Sequence, residues 1–379
     1  MRDVVEIGLG KTAHRGYHLS DVAVVPSRRT RDVDDVSTTW QVDAYRFKIP
    51  CVAHPSDATM SPATAVELGR LGGLGVLNAE GLWTRYEDPS KILASLADPE
   101  PGVTATRRLQ EAYSAPIQPE LIGERIRQMR EAGVTVAARV SPQHTLRLAP
   151  VILDAGVDLL VIQGTIVSAE HVSTTDEPLN LKEFIADLDL PVIVGGCTSY
   201  QTALHLMRTG AAAVIVGIGA DEWSTSDSVL GIRVPMATAI ADAAAARRDY
   251  LDETGGRYVH VIADGDIRTS GDIAKALGCG ADAVMLGAPL ALATEAPAGG
   301  AWWHSAASHP KLPRGAFARP RPPIGTLEQI LYGPADLPDG TLNLFGGLRR
   351  AMAKCGYRDI KEFQKVGLML PGAASFPAE

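Results

Sequence analysis

The sequence predicts a closed (β/α)8 barrel of the TIM type, an α/β fold with eight parallel strands. Three observations carry that expectation. A short, almost wholly apolar run recurs eight times, at 49–53, 72–78, 133–139, 156–163, 191–195, 210–217, 258–264 and 280–287. Five of these runs open on glycine, the residue that ends a preceding helix at positive φ without a Cβ clash. The intervening segments have helical patterning, and strands buried on both faces suit a parallel sheet covered by helices.

In chain order, 49–53 begins the barrel and 72–78 gives its second strand. The helix expected over 119–132 places Leu121, Ile122, Ile126 and Met129 on one face and leads into 133–139. After 156–163 and 191–195, the Ala- and Leu-rich segment 201–209 feeds 210–217, and a second such segment, 236–248, precedes 258–264. Ser270 is the expected N-cap of the helix before 280–287. An amphipathic helix at 347–356 closes the chain. A doubly wound open sheet is the competing architecture, disfavoured because no GxGxxG follows the first strand. The whole of 1–379 is expected to be one barrel domain. Two excursions interrupt it, at 83–118 and at 296–343, the latter rich in Gly, Pro, Trp and Arg. Such long insertions are usually lids or surface wraps.

Composition narrows the function. Hydrophobic residues are 46% and charged residues 21%, enough for a large core. A net charge of −8 is the wrong sign for a general nucleic-acid binder. No apolar run approaches the roughly 18 residues of a membrane span, and the N-terminus is too polar for a secretory signal. Cys51, Cys197, Cys279 and Cys355 are far apart, so neither a metal site nor a disulfide framework is signalled. These features lead to the expectation of a water-soluble, cytoplasmic protein.

The most informative block is Ala263-Asp264-Gly265-Asp266-Ile267-Arg268-Thr269-Ser270-Gly271-Asp272, with Gly287-Ala288 after the next strand. A strand ending in Asp-Gly before a helix offers backbone N–H groups and a helix dipole to an anion, typically a phosphate. In barrels of this kind, strands seven and eight often build that site together.

This block resembles the strand-seven and strand-eight motif of the IMP dehydrogenase/GMP reductase family. The resemblance extends over nearly the whole chain, through Gly16-Tyr17-His18-Leu19-Ser20-Asp21, the first-strand Pro55 and Asp57, and Gly346-Gly347-Leu348-Arg349. It is nearest to the short actinobacterial group without the regulatory CBS pair, because 83–118 is too short to hold one. The resemblance implies an oxidoreductase that converts IMP to XMP with NAD in guanine nucleotide synthesis, and a homo-oligomer, a tetramer in the family. By the same resemblance, Asp57, Gly219, Asp264, Gly265, Gly287 and Ala288 hold the substrate and its phosphate. Gln163, Gly164 and Thr165 stand where the family contacts the nicotinamide half of NAD. Whether a monovalent cation binds is left open.

Several positions depart from the family pattern. The loop after strand six, where the family's Cys thiolate attacks purine C2, here reads Gly217-Ile218-Gly219-Ala220-Asp221-Glu222-Trp223-Ser224-Thr225. Ser224 takes the Cys position, with Thr225 beside it, and a hydroxyl needs an adjacent base where a thiol does not. Glu222, Asp266 and Ala288 replace phosphate-contacting residues, and Ser56 replaces the Met under the purine. Cys197 is the one cysteine near a rim, and Arg314, Arg319 and Arg321 are expected to be solvated. The sequence therefore supports two functions: a weak IMP-dehydrogenase-like enzyme, and a catalytically silent purine-nucleotide-binding or regulatory homologue. An FMN-dependent oxidase would need a His-x-x-Arg after strand six, which the chain lacks.

Overall fold

A computed structural model describes residues 4–97, 104–172, 178–218 and 223–371. All eight expected strands form, as β1 Cys51–Ala53, β2 Val76–Asn78, β3 Ala137–Val140, β4 Leu159–Gln163, β5 Val192–Cys197, β6 Ala213–Val216, β7 His260–Asp264 and β8 Ala283–Leu286. They are parallel neighbours in chain order, with β8 beside β1 through Val284–Cys51 and Leu286–Ala53. The Val52–Leu74 bridge joins β1 to the approach of β2, with Leu74 N–H donating to Cys51 and Ala53 N–H to Leu74, both at 2.8 Å. The ring is closed, so the open sheet is excluded.

Every residue of these eight strands is buried except half-buried His260, because side chains fill the barrel and helices cover it. The glycines that open the runs work as expected at Gly210 (φ +100°) and Gly280 (φ +117°), each turning the chain from helix into strand. One cap differs from expectation. The helix Ser270–Gly278 is capped by Thr269, whose Oγ1 accepts the Asp272 N–H while the Asp272 carboxylate accepts the Thr269 N–H. That reciprocal pair satisfies two helix-end donors, and Ser270 becomes the first helical residue.

The excursions are structured. The first contains helices Ser90–Ala97 and Ala105–Ala112, and the second a short turn of helix at Ser305–Ser308 and a helix at Leu327–Tyr332. Together they bury a satellite core of Leu93, Leu96, Leu109, Trp302, Trp303 and Ala318 over the C-terminal ends of the strands. Among the described residues, no helix is long and apolar enough to cross a membrane.

At the opposite end, Asp282 ties the barrel to its outer helices. Its carboxylate accepts from Arg247 (2.6 Å), Lys361 (2.7 Å), Tyr258 (2.7 Å), Gln364 (3.0 Å) and the Val261 N–H (2.8 Å). Burial by itself would raise its pKa, but Arg247, Lys361 and the hydrogen bonds outweigh it and hold the carboxyl well below the usual range. Asp282→Asn is expected to lower unfolding free energy by about 3–5 kcal/mol, because the buried Arg247 guanidinium loses its counter-charge. A depressed folded pKa gives stability that is complete above the unfolded carboxyl value near 4 and is lost as pH falls below it. Urea unfolding of wild type and variant from pH 7 to pH 3 should therefore converge on acidification.

Candidate active site

The C-terminal mouth of the barrel gathers residues from the ends of β1, β2, β3, β4, β7 and β8, from the loop after β6 and from both excursions. At the end of β7, the chain turns sharply through Gly265 (φ +131°) and Asp266 (φ +55°). Asp266 is half-buried there, with Oδ2 3.7 Å from His18 Nδ1. Burial raises the pKa of its carboxyl, against the pull of His18. Asp264 points inward, and Gln163 reaches from β4 across the barrel to donate its Nε2–H to Asp264 Oδ2 (3.2 Å). Expected substrate and cofactor residues thus touch. Arg139 of β3 donates twice to the Gln163 carbonyl (3.1 and 2.6 Å) and lies 3.6 Å from Glu80. Glu80 is largely buried, which raises its pKa. Arg139, His144 and Ser141 more than offset that and bring it to about 2.

A cleft of about 600 Å3 opens beside this row, lined by Glu80, Arg139, Gln163, Gly164, Thr165, His304 and Arg314. Arg314 is half-buried, not the solvated side chain expected, and its Nε–H donates to Thr165 Oγ1 (3.1 Å). The excursion loops back over the mouth and carries this guanidinium onto the β4 loop.

The same excursion is stitched to the loop after β6. Ser224 forms an antiparallel bridge with Gly315, Thr225 Oγ1 donates to the Pro313 carbonyl (3.2 Å), and Ala316 N–H donates to the Trp223 carbonyl (2.6 Å). Ser224 Oγ accepts the Ser226 N–H (3.3 Å). Gly219 and Glu222 lie outside the described residues. At the end of β8, Trp302 stands directly over Gly287, where a Cβ would meet its ring at 2.1 Å. Beside it is a small cavity of about 120 Å3 lined by Ala288, Trp223, Trp302, Arg268, Arg319 and Arg321.

Asp57 is buried beneath the excursions and accepts a short hydrogen bond from Tyr113 Oη, which itself accepts from Trp303 Nε1 (3.1 Å). Burial raises its pKa to about 6 despite the Tyr113 bond. Cys197 is also buried, which removes it from the rim. Its thiol is pushed up to about 12, that of Cys279 to about 11, and burial likewise raises Cys51 and Cys355. None of the four supplies a thiolate near neutral pH.

Sequence reasoning missed His304, Arg139, Glu80 and Tyr113. His54 was visible only as a residue just past the first strand. Their rings and charges converge through the closed ring and the folded excursions, for which the chain carries no local signal. His54 and His304 are both desolvated by burial, which lowers the pKa of His304 to about 4 and holds that of His54 well below the ordinary imidazole range.

Comparison with known proteins agrees with this fold. Residues 16–315 match the family model described as the IMP dehydrogenase / GMP reductase domain. An uncharacterized oxidoreductase of Mycobacterium tuberculosis is 63% identical over 379 residues, covering 97% of this chain and 100% of that protein. An inosine-5'-monophosphate dehydrogenase of Methanocaldococcus jannaschii is 30% identical over 259 residues, covering 62% of this chain and 50% of that one. Among solved structures, an IMP dehydrogenase/GMP reductase-like protein from Corynebacterium glutamicum superposes with a TM-score of 0.92 at 56% identity, covering 97% of this chain and 98% of that one.

Asp57 makes a pH prediction of opposite sign to Asp282. A carboxyl that holds its proton to about pH 6 when folded and to about pH 4 when unfolded loses stability as pH rises between those values, by up to about 3 kcal/mol. Asp57→Asn abolishes that loss. The stability difference between variant and wild type, from urea unfolding, should move in the variant's favour from pH 4 to pH 6.5; parallel curves would show that Asp57 does not titrate there.

Proposed function

We propose, from the premise that the chain belongs to the IMP dehydrogenase/GMP reductase family of oxidoreductases, that it binds a purine 5'-monophosphate at the barrel mouth and oxidises IMP to XMP slowly. The observation that carries the nucleotide reading is the pairing of two features at one mouth. One is the inward carboxylate of Asp264 at the end of β7. The other is the arginine-lined cavity against Ala288 at the end of β8. Arg268, Arg319 and Arg321 supply positive charge where Asp266 and Ala288 have replaced the family's small phosphate-contacting residues. A carboxylate in the centre suits a ribose diol, since it can accept two hydrogen bonds.

Gln163, Gly164 and Thr165 would hold the nicotinamide half of NAD. Gln163 Oε1 is buried with no hydrogen-bond partner among the described residues, an acceptor suited to a carboxamide N–H. NAD, when bound, supplies the acceptor for the hydride removed from purine C2. What the chain itself must supply is a nucleophile at that carbon, and here it is weak. Ser224 lacks the acidity of a thiol, and the four buried cysteines cannot stand in. The family resemblance also implies a homo-oligomer acting in the cytoplasm, which gel filtration and fractionation test. The silent-binder reading is favoured by one specific observation: Ser224 is held in a backbone bridge to Gly315.

Steady-state assays separate the readings. Wild-type protein is expected to form XMP roughly 10²-fold or more slower than relatives with the Cys, the scale of a missing general base. Ser224→Ala should leave that rate unchanged, and Ser224→Cys should not restore full activity. A rate that collapses in Ser224→Ala would make Ser224 the working nucleophile. Calorimetry should show IMP binding more tightly than inosine, with affinity for IMP falling about tenfold in Arg321→Ala, the scale of one charged hydrogen bond. Equal binding of IMP and inosine would overturn the phosphate assignment.

A further inference from the structure

We propose that His54, His304 and Asp264 form a binding site for a single divalent transition-metal ion, Zn2+ or an ion of similar ligand preference, at the centre of the barrel mouth. One ring nitrogen or carboxylate oxygen from each lies within 4.8 Å of the others, and all three residues are buried. They come from three distant parts of the chain, the end of β1, the end of β7 and the second excursion, yet meet at one point.

The second, independent observation is the state of His54. Its side chain is 1% exposed, and neither Nδ1 nor Nε2 has a hydrogen-bond partner among the described residues. Burying two unpaired ring nitrogens is unfavourable, and such groups call for a specific explanation, which a ligand supplies. The ring is not loosely placed. It packs edge-on against Trp302, with centroids 5.3 Å apart, and 4.5 Å from the His304 ring. Asp264 is oriented by Gln163. Two imidazoles and one carboxylate suit borderline ions such as Zn2+, Co2+ and Fe2+ over Mg2+ or Ca2+, which prefer all-oxygen sites.

Ligation requires a modest adjustment. Ligand atoms around a tetrahedral ion with bonds near 2.1 Å stand roughly 3.4 Å apart, so the three side chains close inward on binding. His304 Nδ1 accepts the Ala306 N–H (3.0 Å), so its ring turns over to offer a lone pair and gives up that cap. Arg139 shares the mouth but is paired with Glu80 at 3.6 Å, which limits its repulsion of a dication. A three-ligand set leaves at least one coordination position for water or a substrate oxygen.

The test needs no nucleotide, so its failure would leave the nucleotide reading untouched. Full-length protein freed of metal by chelator is titrated with Co2+, whose visible bands report coordination, and Zn2+ is measured by competition. One equivalent per chain is expected, with a four- or five-coordinate spectrum. His54→Ala, His304→Gln and Asp264→Asn should each weaken binding by about 10- to 100-fold, the range for disturbed metal sites, while exposed His205→Asn has no effect. Circular dichroism and melting of each metal-free variant check folding, and His304→Gln, at the rim of the cleft, carries the argument if His54→Ala fails to fold. Absence of a Co2+ band at saturation would overturn the proposal, as would a band that survives all three substitutions or one lost in His205→Asn.

Discussion

The backbone pairing of β8 with β1 is the constraint on which everything at the mouth depends. Val284, Met285 and Leu286 lie in register with Cys51, Val52 and Ala53, and this ladder joins segments more than two hundred residues apart in the chain. Its hydrogen bonds are ordinary ones. Their effect is topological: a closed parallel ring directs every strand's C-terminal end to the same side. His54 follows β1 and Asp264 ends β7, and only closure makes them neighbours.

The excursions supply the other half of the site. Each alone is too short to bury a core, and they solve this by packing on one another through Leu93, Leu96, Leu109, Trp302 and Trp303. The packing fixes three polar contacts with functional consequences. Tyr113 caps Asp57, Arg314 reaches Thr165, and Gly315 bridges Ser224. Trp302 has two roles, because its ring covers Gly287 on one side and abuts His54 on the other. The lid and the candidate nucleotide site are therefore one packed unit.

Burial decides the chemistry available there. The thiols are desolvated and protonated, the two mouth histidines are neutral, and Asp57 keeps its proton toward neutral pH. Glu80, compensated by Arg139, is held ionised. A mouth stocked with neutral imidazoles and lacking a thiolate suits ligand or ion binding better than covalent attack through sulfur.

The sequence by itself determined the barrel, because apolar runs of strand length and the glycines before them are local demands of backbone geometry and solvent. The eight runs became eight strands in the expected order. The Asp264-Gly265 turn was equally legible, since a polar residue ending an apolar run marks a strand's exit. The tertiary structure alone decided that Gln163 touches Asp264, that Arg314 is drawn in from solvent, that Cys197 is sealed off, and that His54 meets His304. These contacts link residues 101, 149 and 250 positions apart. Nothing in a local stretch of chain specifies such pairings; they arise when ring closure and lid packing exclude water from one shared volume.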